Sequence, residues 1–266
     1  MPLARLVLFA ATIGVLLMTG QAVLGHVPPL GVSIGVAAVY LGLVLSGVFA
    51  LRLRMFVDAV IEGPRGARGW ALTFDDGPDP SSTPGVLDAL DAARVKATFF
   101  VIARKAEAHP DLVREILRRG HAVGLHSYAH DRFLTLRRET RVRADLEKGI
   151  EVLTAITGER PTLFRPPIGH TNPVVARVVE DLELVTVGWS VSARDGLAGV
   201  SAERVAARVS SRLRDGAIVL MHDASERGTH APVAASILEQ IVEAGREARM
   251  DVVPLAPWVA PMAATG

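Results

Sequence analysis

The sequence predicts a parallel α/β domain over residues 70–255, preceded by two membrane-spanning helices. Short apolar runs alternate with stretches in which apolar residues recur three and four positions apart, the pattern of strands followed by helices. Polar side chains follow several of these runs, and the ligand sites of α/β proteins lie at that carboxyl edge of the sheet. The alternation alone leaves open whether the sheet is open or closed into a barrel.

Composition excludes several classes of function. The chain of 266 residues has a formal net charge of +1, and its arginines are interleaved with acids, so no nucleic-acid partner is expected. The absence of cysteine excludes disulfides, thiolate metal sites and a cysteine nucleophile. Half of the residues are hydrophobic, a high share for a soluble protein, which directs attention to the N-terminus.

Two uncharged apolar segments, residues 6–24 and 30–51, flank the helix-breaking turn at residues 25–29. Each is long enough to cross a bilayer at roughly 20 residues per crossing, and together they predict a hairpin with both ends on one side. A cleaved signal peptide is the alternative for the first segment, but a second span follows at once and no small-residue cleavage site is evident. The hairpin also predicts contact with membrane lipid.

The charges that flank the hairpin predict its orientation. Arg5 precedes the first span, the connecting turn has no lysine or arginine, and four arginines follow the second span at positions 52, 54, 65 and 68. The positive-inside rule therefore predicts a cytoplasmic domain attached to a bacterial inner membrane. The resulting organisation is a hairpin at 1–54, a linker at 55–69, the α/β domain at 70–255 and a loose C-terminal tail at 256–266.

Periodicity places the individual elements of the domain. Strands are predicted at Trp70–Phe74, Ala97–Ile102, Ala122–Leu125, Leu184–Val187, Ala217–Met221 and Val252–Leu255. One helix is predicted to begin with Thr83 as N-cap and Pro84 at its first position, and another spans Asp111–Arg119 before Gly120. A third has one apolar face, formed by Val142, Leu146, Ile150, Leu153 and Ile156.

Two adjacent acids, Asp75 and Asp76, end the first strand, and Gly77-Pro78 then turns the backbone away. Neighbouring side chains point in different directions, so one carboxylate can bind a metal while the other accepts protons. An ordinary turn is the alternative interpretation.

Two histidines, His126 and His130, follow the strand at Ala122–Leu125. Their spacing of four predicts one face of a helical turn, where both rings can chelate one ion. Such a pair is often incidental, but here it shares a sheet edge with the two acids. Two imidazoles and a carboxylate suit Zn²⁺ and leave one position for water.

Three further segments have polar residues after apolar runs. They contain Arg165 in a proline-rich turn, Asp195 after a fourth run, and His222 directly after an apolar strand. A surface arginine and a hydrogen-bonded core histidine are the alternatives for two of them. Polar candidates at five successive strand ends are hard to treat as independent accidents, so an active site at this edge is favoured.

These motifs resemble those of the polysaccharide deacetylase family, the NodB-homology domains of carbohydrate esterase family 4. The resemblance covers about Trp70 to Leu255 and rests on Thr73-Phe74-Asp75-Asp76, His126-Ser127-x-x-His130, Arg165-x-Pro167 and Leu220-x-His222. It implies a distorted (β/α) barrel and a metal-dependent hydrolase of carbon–nitrogen bonds other than peptide bonds. The implied cofactor is a divalent metal, Zn²⁺ in the first place, with Co²⁺ among the alternatives.

The resemblance also implies a role for each matching residue. Metal ligands would be Asp76, His126 and His130. Catalytic residues would be Asp75 as general base, Arg165 holding it, His222 as general acid and Asp195 orienting the imidazole. Substrate would contact Pro167, Ile168 and Leu220.

Two departures from the family pattern bear on the substrate. Ile168 stands where the family usually has an aromatic residue, and Gly196 replaces the tryptophan of an Asp-x-x-Asp-Trp motif. Loss of two aromatic platforms favours a small or lipid-linked N-acetyl or N-formyl amino sugar, including a polyprenyl-linked one, at the cytoplasmic face. The alternatives are an extracytoplasmic deacetylase of peptidoglycan or chitooligosaccharides and an inactive membrane-anchored carbohydrate-binding module.

Overall fold

An eight-stranded, all-parallel sheet forms the centre of the α/β domain in a computed structural model that describes residues 1–227 and 230–263. Its strand order is β1-β6-β5-β4-β3-β2-β8-β7. The strands are β1 Ala59–Val60, β2 Ala71–Asp75, β3 Thr98–Val101, β4 Ala122–Leu125, β5 Leu163–Phe164, β6 Val185–Val187, β7 Val191–Ser192 and β8 Ile218–His222. The sheet is curled, and its end strands β1 and β7 do not pair, so the expected barrel is a half-barrel.

Helices cover the sheet, as a parallel sheet buried on both faces requires. The α-helices are α1 Leu3–Val23, α2 Leu30–Phe49, α3 Thr83–Ala93, α4 Ala103–Ala108, α5 Pro110–Arg118, α6 Glu139–Thr157, α7 Pro173–Asp181, α8 Ala202–Ser210, α9 Ala234–Glu247 and α10 Ala256–Ala263. The predicted apolar face of α6 is confirmed, since Val142, Leu146 and Leu153 are buried in the main core. Five predicted strands agree with β2, β3, β4, β6 and β8 to within one residue at each end.

The start of α3 differs slightly from the prediction. The helix begins at Thr83 with Ser82 as N-cap, and no side chain caps it. The hydroxyl of Thr83 instead donates to Oδ2 of Asp223 at 2.6 Å and accepts the backbone N–H of Asp79 at 2.8 Å. These bonds tie the helix start to the loop after β8.

Three segments near the ends of the domain differ from the prediction. The linker at 55–69 contains β1, which pairs with β6 through Ala59 and Val60. The predicted strand at Val252–Leu255 pairs only through a bridge from Val252 to Trp70, because Pro254 has no N–H to continue a ladder. The expected loose tail forms α10 up to Ala263, since Trp258 and Val259 pack against a buried cluster; residues 264–266 lie outside the described part.

The two N-terminal helices are long and apolar enough to cross a membrane, and their large apolar side chains are mostly exposed. They span Leu3–Val23 and Leu30–Phe49, compared with the predicted 6–24 and 30–51. The end of α2 contacts the α/β domain: the carbonyl oxygen of Val48 accepts the N–H of Thr171 at 3.1 Å, and Phe49 meets the ring of His170 edge-on at 4.8 Å. Hairpin and domain are therefore packed together.

Close packing between neighbouring strands yields a stability prediction. A Cβ at Gly124 in β4 would lie 2.8 Å from the Phe100 ring and 3.1 Å from Cβ of Leu163. Gly124→Ala should therefore lower the free energy of unfolding by about 1–3 kcal/mol, the usual cost of overpacking. The control is Gly85→Ala in α3, where the new Cβ meets nothing nearer than 3.8 Å, so stability should be unchanged or higher. Equal unfolding midpoints for both variants in denaturant titrations would contradict this account.

Candidate metal centre and active site

The register of the sheet brings the predicted polar motifs to one edge. In the ladder between β2 and β8, Asp75 lies directly opposite His222. In the ladder between β4 and β5, Leu125 lies opposite Phe164, so the residues that follow them, His126 and Arg165, are also neighbours. Because all these strands are parallel, their carboxyl ends open into the same cleft.

Three buried side chains of this edge form a candidate metal-binding triad. Oδ1 of Asp76 lies 3.5 Å from Nε2 of His126 and 3.3 Å from Nε2 of His130. One ligand atom from each residue lies within 4.8 Å of the others, so the three converge on one position. Oδ1 of Asp76 is buried without a hydrogen-bond partner among the described residues, as expected of an oxygen that binds an ion. The donor set therefore fits a divalent metal.

The loop between the two histidines is not helical, contrary to the prediction. Ser127 and His130 have left-handed backbones, with φ values of 60° and 52°. Both oxygens of the Asp145 carboxylate accept backbone N–H groups, from Tyr128 at 2.9 Å and Ala129 at 3.2 Å, and this holds the tight turn in place. The rings reach one ion through this turn rather than through helical spacing.

The protonation states of Asp76 and His130 suit a cation. Burial would raise the pKa of Asp76, but the close contact and charge of His126, followed by the charges of His222 and His130, lower it to about 2. Burial, together with the charge of His126, lowers the pKa of His130 to about 4. At neutral pH, Asp76 is therefore ionised and His130 has a free lone pair on its ring.

Asp75 faces the cleft beside the triad and is held by a buried arginine. Nη1 of Arg165 donates to Oδ1 of Asp75 at 2.6 Å, and Oδ2 of Asp75 lies 3.8 Å from Nε2 of His126. The Arg165 side chain is fully buried, so the pair is shielded from solvent. The geometry leaves Oδ2 available to accept a proton from a group near the metal position.

His222 lies across the cleft with Asp195 behind its ring. Oδ1 of Asp195 accepts from Nδ1 at 2.8 Å, while Nε2 faces the cleft 3.9 Å from Oδ2 of Asp76. Burial would lower the pKa of His222, but the hydrogen bond and charge of Asp195, followed by Asp76 and Asp75, raise it to about 9. The imidazole is therefore protonated at neutral pH and can donate a proton into the cleft.

The cleft has a volume of about 450 Å³ and includes two of the three predicted substrate contacts. Leu220 is buried in its wall, and Ile168, with a positive φ of 51°, lies half-exposed at its mouth. Pro167 is buried in the adjoining turn and does not line the cleft. The wall also contains Trp189, to which sequence reasoning gave no role, so the cleft has an aromatic surface despite the residues at 168 and 196.

Three more polar residues at the site were missed. Glu226 lies behind His130, with its Oε1 3.1 Å from Nδ1. Lys105 donates from Nζ to the carbonyl oxygens of Asp76 at 2.7 Å and Ser225 at 2.6 Å. Fully buried Asp223 accepts the N–H of Gly77 at 3.2 Å, and its position directly after His222 was the available signal. The other two lie outside the recognised motifs, and nothing in the sequence marks them.

Comparison with known sequences assigns the domain to a family. Residues 62–187 match the sequence model of the polysaccharide deacetylase family. The chain is 42% identical over 170 residues to the peptidoglycan-N-acetylglucosamine deacetylase PgdA of Listeria monocytogenes, covering 63% of this chain and 34% of that protein. It is 36% identical over 190 residues to a chitooligosaccharide deacetylase of Sinorhizobium fredii, covering 71% and 87%. The chain thus spans about a third of the length of the Listeria relative.

Solved structures agree with this assignment. The Bc1960 peptidoglycan N-acetylglucosamine deacetylase has a TM-score of 0.70 and 32% identity, over 74% of this chain and 91% of that one. A family 4 acetyl xylan esterase of Clostridium thermocellum, in complex with a cobalt ion, has a TM-score of 0.65 and 31% identity, over 72% and 90%. The predicted resemblance, the hydrolase class and the curled parallel fold are confirmed: the chain belongs to the polysaccharide deacetylase family.

Proposed function

We propose that this protein is a metal-dependent deacetylase that removes the acetyl group from an N-acetylated amino sugar. The observation that carries the proposal is the arrangement of three side-chain sets around one cleft. They are the triad Asp76, His126 and His130, the proposed general base Asp75 with Arg165, and the proposed general acid His222 with Asp195. An inactive binding module would not need all seven residues in these positions.

The triad would hold the metal, which when bound supplies a Lewis acid for the amide carbonyl and for an attacking water. Zn²⁺ suits one carboxylate and two imidazoles, and Co²⁺, the ion in the Clostridium esterase structure, is the alternative. Asp75 accepts a proton from the attacking water through Oδ2, while Arg165 holds the carboxylate in its orientation. The backbone N–H of Ile168, at the mouth of the cleft, is the proposed donor to the carbonyl oxygen as it gains charge.

Amide hydrolysis also needs an acid, because an amine leaves poorly unless it is protonated. His222 is charged at neutral pH and presents Nε2 to the cleft, so it can give its proton to the leaving nitrogen. The products are acetate and a free amino sugar. Leu220 in the cleft wall provides an apolar surface for the acetyl methyl group.

The names of the relatives favour an N-acetylglucosamine-containing saccharide of the peptidoglycan or chitooligosaccharide type as substrate. Trp189 supports this choice because an aromatic wall can stack on a sugar ring. The expectation that the cleft lacks aromatic platforms, which favoured a smaller substrate, is weakened by this residue. Such substrates lie mainly outside the cytoplasm, so this candidate places the α/β domain there.

A cytoplasmic, lipid-linked amino sugar is the second candidate, and the distribution of arginines around the hairpin favours it. Arg5, in the first turn of α1, donates to Asp58 at 3.0 Å and to the carbonyl oxygens of Arg54 and Met55, both at 3.2 Å. These contacts support a retained hairpin with its N-terminus and domain on one side.

Replacement of the proposed base tests the mechanism. Asp75→Asn keeps the shape of the side chain but removes the proton acceptor, so kcat on N-acetylglucosamine oligomers should fall by about 10²–10⁴-fold. Zn²⁺ binding should persist, because the triad is intact. Asp251→Asn on the surface should retain wild-type kcat, and a chelator should abolish activity of the wild type. Hydrolysis that survives chelation would contradict metal dependence, whereas saccharide binding without turnover by the metal-loaded wild type would favour the inactive module.

The contact between His222 and Asp195 yields a prediction about pH. The pKa of His222 is about 9, compared with an ordinary value of 6.5. The interaction between protonated His222 and Asp195 therefore stabilises the fold fully below about pH 6.5, and this stabilisation is lost as pH rises through about 9. In Asp195→Asn the nearest negative charge disappears, so the pKa of His222 should fall by about one to three pH units. Histidine NMR titrations of the metal-free protein measure this directly. Asp111→Asn, on the surface of α5, should leave the value unchanged; an equal shift in both variants would disprove the local role of Asp195.

Reporter fusions decide between the two substrate candidates. We expect a peptidoglycan or chitooligosaccharide deacetylase to give high alkaline phosphatase activity when the reporter follows Gly69 or the full chain, because phosphatase folds outside the cytoplasm. Green fluorescent protein at the same positions should then be dark. The reverse pattern would place the domain in the cytoplasm, as the arginines predict, and would favour the lipid-linked amino sugar.

A further inference from the structure

The loop after β8 places a carboxylate directly behind a proposed metal ligand. Oε1 of Glu226 lies 3.1 Å from Nδ1 of His130, while the opposite nitrogen, Nε2, faces Oδ1 of Asp76 at 3.3 Å. The side chain of Glu226 is 10% exposed and that of His130 is 5% exposed, so the contact is shielded from solvent. The carboxylate therefore touches the ring on the side away from the metal position.

The two histidines of the triad have different partners on this outer side. Nδ1 of His126 donates to the carbonyl oxygen of Arg165 at 2.8 Å, a well-directed hydrogen bond to a neutral group. Nδ1 of His130 and Oε1 of Glu226 are close but not aligned, and neither has a directed hydrogen-bond partner among the described residues. A small rotation of the His130 ring would align them. Bound metal at Nε2 would fix the ring in one orientation and the proton on Nδ1.

Glu226 is itself held in place by two arginines. Arg132 donates to its Oε2 from Nε at 2.7 Å and also from Nη2, so two charge-assisted hydrogen bonds anchor this oxygen. Nε of Arg227 lies 3.1 Å from Oε1. A carboxylate with this support keeps its charge and its position beside His130.

We propose that Glu226 is the positioning residue that fixes the ring of His130 for the metal and strengthens metal binding, with Arg132 holding Glu226. The assignment rests on the metal-dependent function proposed above. A carboxylate that accepts from the outer nitrogen of a metal-ligating histidine sets its tautomer and raises its basicity, and loss of such a partner typically weakens metal binding about 10–100-fold.

Metal affinity in variants of the full chain tests the assignment. Competition with a chromogenic chelator should show Zn²⁺ bound about 10–100-fold more weakly by Glu226→Ala, with a smaller loss in Glu226→Gln, whose amide oxygen still accepts a hydrogen bond. Arg132→Gln should also weaken binding, because Glu226 loses its support. The matched control is Glu239→Gln on the exposed face of α9, which should bind like the wild type.

A second readout separates positioning from general damage to the fold. The visible absorption of the Co²⁺-substituted protein should shift in Glu226→Gln and not in Glu239→Gln, while the metal-free melting temperatures of both stay near that of the wild type. If Glu226→Ala does not fold, Glu226→Gln and Arg132→Gln decide. Wild-type affinity and an unshifted spectrum in the folded variants would overturn the role of Glu226 but not the metal-dependent function. Failure of the wild type to bind Zn²⁺ would overturn the metal-dependent function and this assignment with it.

Discussion

The ion pair between Arg165 and Asp75 is the interaction on which the rest of the site depends. The guanidinium is fully buried inside the curled sheet and donates to Asp75, to the hydroxyl of Thr73, and to the carbonyl oxygens of Val187 and Gly188. A buried charge left without partners is strongly destabilising, so the strands that supply these acceptors must curl around it. The same contacts that satisfy the cation hold the proposed base aimed at the metal position.

A second constraint explains how two adjacent acids acquire different roles. Asp75 ends β2 in extended backbone, whereas Asp76 has a φ of 76°, which turns its carboxylate toward the histidines. Two hydrogen bonds hold this turn: Lys105 donates to the carbonyl oxygen of Asp76, and Asp223 accepts the N–H of Gly77. Only glycine fits there, because a Cβ at Gly77 would lie 2.0 Å from Oδ2 of Asp223. Backbone geometry therefore separates the metal ligand from the base.

The sequence predicts what is local and periodic, and this includes most of the site. Asp75, His126 and His222 follow apolar strands whose parallel order fixes their position at one edge, so their convergence could be anticipated. Glu226 could not, because its value depends on where an irregular loop returns across the cleft. Trp189 was equally hidden, since only the fold shows that it lines the cleft. The prediction of a helical turn between His126 and His130 was wrong, because their spacing alone does not reveal two residues with left-handed backbone.

The packing of the hairpin extends this argument beyond the domain. The end of α2 binds the loop that follows Arg165, through Val48 to Thr171 and Phe49 to His170, and the same loop presents Ile168 to the cleft. Loops tied to a rigid element hold functional groups more accurately than free ones. The end of α2 thus supports the loop that carries Ile168 at the mouth of the cleft.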